Sequence, residues 1–215
     1  MNPAPVLTPP RRTPDLPIGP GGPRIAAADG PGEAERRPPS GAALIAVWLL
    51  VGTVTILFAA ITSALLSRRV EADWRIGPLP AVLWAGTAVL AVSSLAVEWA
   101  RRRGRRGDAA GLRRGLALGT AAGIGFLLLQ WTAWRQLAAM GVYLSSNPHS
   151  GFFFLLTGLH GLHILGGLGG LGYTLARARR APVPGTAAGA AEPAAVFWHF
   201  LTVLWLYLLA ILFAL

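Results

Sequence analysis

The stretch Ala42–Leu66, AALIAVWLLVGTVTILFAAITSALL, holds 25 residues and no charged side chain. About 20 apolar residues suffice to carry a helix across a ~30 Å hydrocarbon core. This one segment therefore reads as a membrane span, and the same reading repeats along the chain. Leu79–Ala100 carries one charge, Glu98, near its end. Gly115–Trp134 carries none, nor does Gly151–Ala176, which holds His160 and His163. Ala194–Leu215 is also uncharged and holds His199 near its start. Five such runs predict an all-α membrane protein, a bundle of five transmembrane helices over residues 41–215. The predicted spans are 42–66, 79–100, 115–134, 151–176 and 194–215.

Composition agrees. Hydrophobic residues make up 53% of the 215 and charged residues 13%, about half the share of a soluble domain, with a mean hydropathy of +0.53. An ordinary soluble enzyme is thereby excluded. The chain has no cysteine, which removes disulfides, thiolate metal sites and cysteine catalysis. Residues 1–40 hold eleven prolines and five glycines with no apolar period, and read as a disordered Pro-rich tail. No apolar core follows Arg11 and Arg12, so a secretory signal is not expected there.

The net charge of +10 comes from nineteen arginines and no lysine. With five spans, fifteen of these arginines fall on one side: in the tail, the 101–114 loop and the 177–193 loop. Arg68, Arg69, Arg75 and Arg135 fall on the other. The positive-inside rule places the N-terminus in the cytoplasm and the C-terminus outside. Arg101, Arg102, Arg103, Arg105 and Arg106 lie between two spans. Contact with anionic headgroups or a partner subunit explains them without nucleic acid.

Glycine spacing predicts close helix packing. Gly115, Gly119 and Gly123 recur every four residues, as do Gly166 and Gly170. Such faces serve either packing within the bundle or docking of another subunit. Chemistry inside the spans is sparse. Glu98 precedes Arg101 and Arg102 by three and four residues, the spacing of a helical ion pair. His163 and His199 differ in expected depth by roughly 12 Å at 1.5 Å per residue, so a haem ligated by both is strained. His160 and His163 share a face, but a metal site needs a third ligand, and His149 is placed outside the membrane. The histidines read as hydrogen-bonded packing residues, each buried in a helix contact.

The segment from Ser145 to Gly167 contains Phe152-Phe153-Phe154, Thr157-Gly158 and His160-Gly161-Leu162-His163. In this it resembles subunit III of the haem–copper oxidases, the cytochrome c oxidase subunit III family. Trp198-His199-Phe200 with Val203 and Trp205 resembles the family's terminal helix. Leu83-Trp84 through Glu98-Trp99-Ala100 resembles its counterpart, as do Phe126, Gln130 and Trp134, and Phe58-Ala59-Ala60. The resemblance covers residues 42–215 and the short, five-helix form. It implies a non-catalytic subunit with no cofactor of its own. Haem and copper are implied in partner subunits I and II, and a bound phospholipid in a groove between helices. The implied role is support of assembly, stability and proton uptake of subunit I during oxygen reduction, in a bacterial cytoplasmic membrane. An accessory subunit of a nitric oxide reductase and a small-solute transporter are the alternative readings. Three family acids are missing: Val54, Ala133 and Thr202 stand at or near their places.

Overall fold

A computed structural model describes residues 41–70, 79–180 and 184–214. Five helices make up the described chain: α1 (Ala42–Arg68), α2 (Val82–Arg105), α3 (Ala109–Ala139), α4 (Pro148–Arg180) and α5 (Pro184–Ala214). No strand occurs among the described residues. All five helices are long and apolar enough to cross a membrane, with Ala191–Ala214 as the apolar part of α5.

The helices extend past the apolar runs that announce them. Hydropathy marks only the part that lies in hydrocarbon, whereas the backbone hydrogen-bond ladder continues wherever water or side chains satisfy its ends. The expected 101–114 loop accordingly shrinks. Arg101, Arg102, Arg103 and Arg105 belong to α2, and Arg113 and Arg114 to α3. Arg177, Arg179 and Arg180 likewise end α4. The reverse correction holds at the start of α2, which begins at Val82: Pro80 disfavours helical backbone at Leu79 before it, and its carbonyl accepts from the Leu83 amide at 3.1 Å. The 1–40 tail and Leu215 lie outside the described residues.

Two turns set the helices antiparallel. Between α2 and α3 the chain reverses at Gly107, whose φ of 78° favours glycine. Asp108 then caps α3, accepting from the Gly111 amide at 2.8 Å. Between α3 and α4, Gly141 has φ of 74°. There the Tyr143 amide donates to Ser146 Oγ, and the Ser150 amide to Asn147 Oδ1.

Packing pairs α2 with α3, α3 with α4, α4 with α5, and α5 back with α2. These four close a bundle whose core is built on Leu90, Phe126, Phe153, Leu156, Ile164, Trp198 and Trp205. The fifth helix, α1, rests on α4 and α5 along one stripe: Val54, Phe58, Thr62 and Leu65. The rest of α1 presents large apolar side chains outward, Ile45, Leu49 and Ile56 among them. That is the surface expected of a helix facing lipid.

Candidate functional site: a polar seam between α2 and α5

Glu98, near the end of α2, is the centre of the most polar cluster in the described bundle. Arg101 Nε donates to Glu98 Oε2 at 2.8 Å and its Nη2 to Oε1 at 2.9 Å, a two-pronged pair. Arg102 Nε donates to Oε1 at 2.7 Å. Arg101 Nη1 reaches across to Glu192 of α5 at 2.9 Å, and Arg105 meets the other Glu192 oxygen at 2.8 Å. On the inner side, His199 Nδ1 pairs with Ser94 Oγ at 2.6 Å, and Nε2 lies 3.4 Å from Glu98 Oε2. The Nδ1–Ser94 contact is a hydrogen bond, whereas Nε2 is buried without a hydrogen-bond partner and faces the Glu98 carboxylate only at ion-pair distance. The run Ser94–His199–Glu98–Arg101–Glu192–Arg105 thus stitches α2 to α5.

This geometry changes the reading of the arginines. Arg101 is largely shielded and spent on two acids, so it is not held out toward headgroups. Arg103 packs over the Trp99 ring at 5.2 Å and donates to Asp108 at 3.2 Å. Arg106 is exposed, at the α2–α3 turn. Sequence reasoning passed over Glu192. It lies 91 residues from Arg101, and only folding sets α5 beside α2.

Three tryptophans form a second set of crossings. Each indole N–H donates to a hydroxyl on another helix: Trp198 to Ser93 at 3.1 Å, Trp205 to Thr87 at 2.9 Å, and Trp134 to Thr157 at 3.2 Å. Each hydroxyl passes its own proton to a backbone carbonyl: Gly119, Leu83 and Phe153, respectively. Every polar atom in these relays is satisfied inside the bundle, which hydrocarbon demands.

The histidines occupy three separate environments. His160 is wholly buried, with rings of Phe126 and Trp205 at 6.0 and 5.2 Å, and its ring nitrogens have no hydrogen-bond partner. The expectation of a hydrogen-bonded His160 is therefore corrected, because aromatic rings fill the space a polar partner would need. His163 is only partly buried. Its Nδ1 is 2.7 Å from the Leu159 carbonyl, and Phe58 of α1 meets its ring at 5.7 Å. His199 is also partly buried, in the seam above. His149 is buried in the first turn of α4. Among the described residues, no three of His, Cys, Asp and Glu come together as a metal site. Gln130 is buried, its amide nitrogen unpaired, on the same face of α3 as Phe126 and Trp134.

The glycines divide into two groups. A Cβ on Gly115 would come within 2.7 Å of Ala100, one on Gly119 within 2.6 Å of Val97, and one on Gly123 within 2.6 Å of Trp198. On α4 a Cβ on Gly167 would lie 3.0 Å from Trp198 and Leu201. Gly161, Gly166 and Gly170 would meet nothing within 4 Å. Packing of Gly166 and Gly170 within the bundle is thus corrected, since one step in sequence turns a helix by 100°. Of the missing acids, Val54 and Ala133 are fully buried, and Thr202 donates to its own helix at the Trp198 carbonyl.

A third feature opens between α1 and α5 beside the seam. It is a cavity of about 400 Å³ lined by Trp48, Val51, Arg101, His199, Phe200 and Val203.

Fold and site together define a polytopic helical membrane protein whose polar groups are used to join helices. Comparison with known proteins assigns it more closely. The family described as cytochrome c oxidase subunit III matches residues 74–214, and the chain belongs to that family. It is 29% identical over 172 residues to the probable cytochrome c oxidase subunit 3 of Mycobacterium tuberculosis, and equally to that of Mycobacterium bovis. Each alignment covers 78% of this chain and 84% of the relative. The cytochrome c oxidase subunit 3 of Sus scrofa is 29% identical over 122 residues, covering 57% of this chain and 46% of that one.

Proposed function

We propose that this chain is the non-catalytic subunit III of an aerobic terminal oxidase in a bacterial cytoplasmic membrane. It flanks subunit I, with subunit II in the same complex, and these partners hold the haem and copper that reduce oxygen. Its role is to support assembly, stability and proton uptake of subunit I. The family match over residues 74–214 carries this reading. The polar seam supports it: Glu98 is tied to two arginines, and Arg101 in turn to Glu192 of α5, so its chemistry is that of a helix joint.

The arginine asymmetry supports a cytoplasmic N-terminus and an external C-terminus. The α1–α5 cavity, walled by Trp48, Val51, Phe200 and Val203, suits an acyl chain of a bound phospholipid. His160, Gly161, His163, Trp198, His199, Phe200, Glu98 and Gln130 act in this reading as the packing and positioning set of the family motif.

The test is purification of the tagged chain from its native membrane in mild detergent. A haem-bearing partner is expected in the complex, and its absence overturns the proposal. His163→Ala separates support of turnover from mere presence. Oxygen consumption is expected to start normally and to decay faster than in the wild type. An unchanged time course would remove His163 from that role.

A further inference from the structure

At the opposite end of the bundle from the arginine-rich turns, α3 and α4 frame a second cavity, of about 430 Å³. Its walls are aromatic. Trp131 and Trp134 stand 6.3 Å apart, and Trp134 and Phe154 6.2 Å apart, between ring centres. Trp134 is fixed by its hydrogen bond to Thr157, so this wall is preformed. Tyr143 and Leu144, both exposed, complete the lining from the turn. Arg135 lies on the rim, one turn before α3 ends at Ala139.

Charge singles out Arg135. The acids among the described residues are Glu98, Asp108 and Glu192, and all three sit at the other end of the bundle. No described residue neutralises the Arg135 guanidinium. Apolar walls with tryptophan and tyrosine near a helix end mark the depth where acyl chains give way to headgroups. An arginine at that depth presents a planar fork matched to phosphate oxygens.

We propose that this cavity binds one anionic glycerophospholipid from the leaflet on that side, its phosphate on Arg135 and the start of an acyl chain against Trp131, Trp134 and Phe154. This site is separate from the α1–α5 cavity and does not rest on the oxidase role. A soluble anion would leave the aromatic walls bare, and an uncharged amphiphile would leave the cation unmatched.

The experiment compares the purified complex in nanodiscs of phosphatidylcholine alone or mixed with phosphatidylglycerol, followed by native mass spectrometry of the lipid it retains. Arg135→Gln is expected to lower the preference for phosphatidylglycerol about five-fold, the value of one cation near a headgroup. Arg135 is exposed, so this variant should keep its thermal unfolding. Ala138→Leu, which narrows the cavity, should reduce retention of that lipid. Arg101→Gln should leave the Arg135 site occupied. Wild-type retention in both Arg135→Gln and Ala138→Leu overturns the proposal. So does displacement of the lipid by inorganic phosphate alone, which would make the site one for a free anion. Higher lipid retention on neutralising Glu71 and Asp73 would also overturn it, by making the chain's own acids the partners of Arg135.

Discussion

At Ser93 a single hydroxyl serves three helices. It sits on α2, donates to the Gly119 carbonyl of α3 at 2.6 Å, and accepts from the Trp198 indole of α5 at 3.1 Å. Ser93→Ala leaves a fully buried N–H without an acceptor. The expected loss is about 1–2 kcal/mol, between the modest value of interhelical bonds in membranes and the cost of an orphaned donor. Thermal unfolding in detergent checks it, and a loss near zero would mean the indole finds another acceptor. Asp108 offers a pH-dependent counterpart outside the spans. The Gly111 amide first, and the Arg103 cation with it, hold its carboxyl below the usual carboxylate range. A depressed carboxyl contributes stability above its unfolded value and loses it as pH falls through the folded value. Acidification is therefore expected to speed amide exchange at the start of α3. Asp108→Asn, which still caps but does not ionise, should flatten that dependence.

Among the elements, the contrast between α3 and α4 is sharpest. Both carry glycines four residues apart, yet only those of α3 face a neighbour. Gly119→Leu forces a side chain into Val97 and the α2 backbone, and should cost at least the 1–3 kcal/mol typical of overpacking. Gly166→Leu should leave thermal stability unchanged, since open space receives it. Comparable losses in both variants would show that α4 is turned differently. The α2–α5 joint makes another prediction. Glu192 receives Arg101 and Arg105, partly shielded from solvent. Glu192→Gln should destabilise by about 1 kcal/mol, and the difference from wild type should shrink as salt rises. No salt dependence would assign the loss to packing instead of charge.

On the scale of the whole molecule, four helices close on one another and α1 lies along α4 and α5 by a single stripe. Five apolar runs declare five spans, because crossing hydrocarbon requires about 20 residues without charge. The Glu98–Arg101–Arg102 pairing was equally legible, because it obeys local helical spacing. The family motif around His160 and His163 could be read as a string, and residues 74–214 match the family. What could not be read were contacts between residues far apart in sequence. Glu192 beside Arg101, Ser94 beside His199 and the three indole–hydroxyl relays each depend on which helices become neighbours and how each is rotated. Span number, the apolar surface and the local ion pair were thus determined by the sequence, since they follow from transfer to lipid and from helical period. Which glycines pack, which arginines are consumed internally, and where two cavities open were decided by tertiary structure. A helix in hydrocarbon is apolar on every side, so its composition does not say which side meets protein.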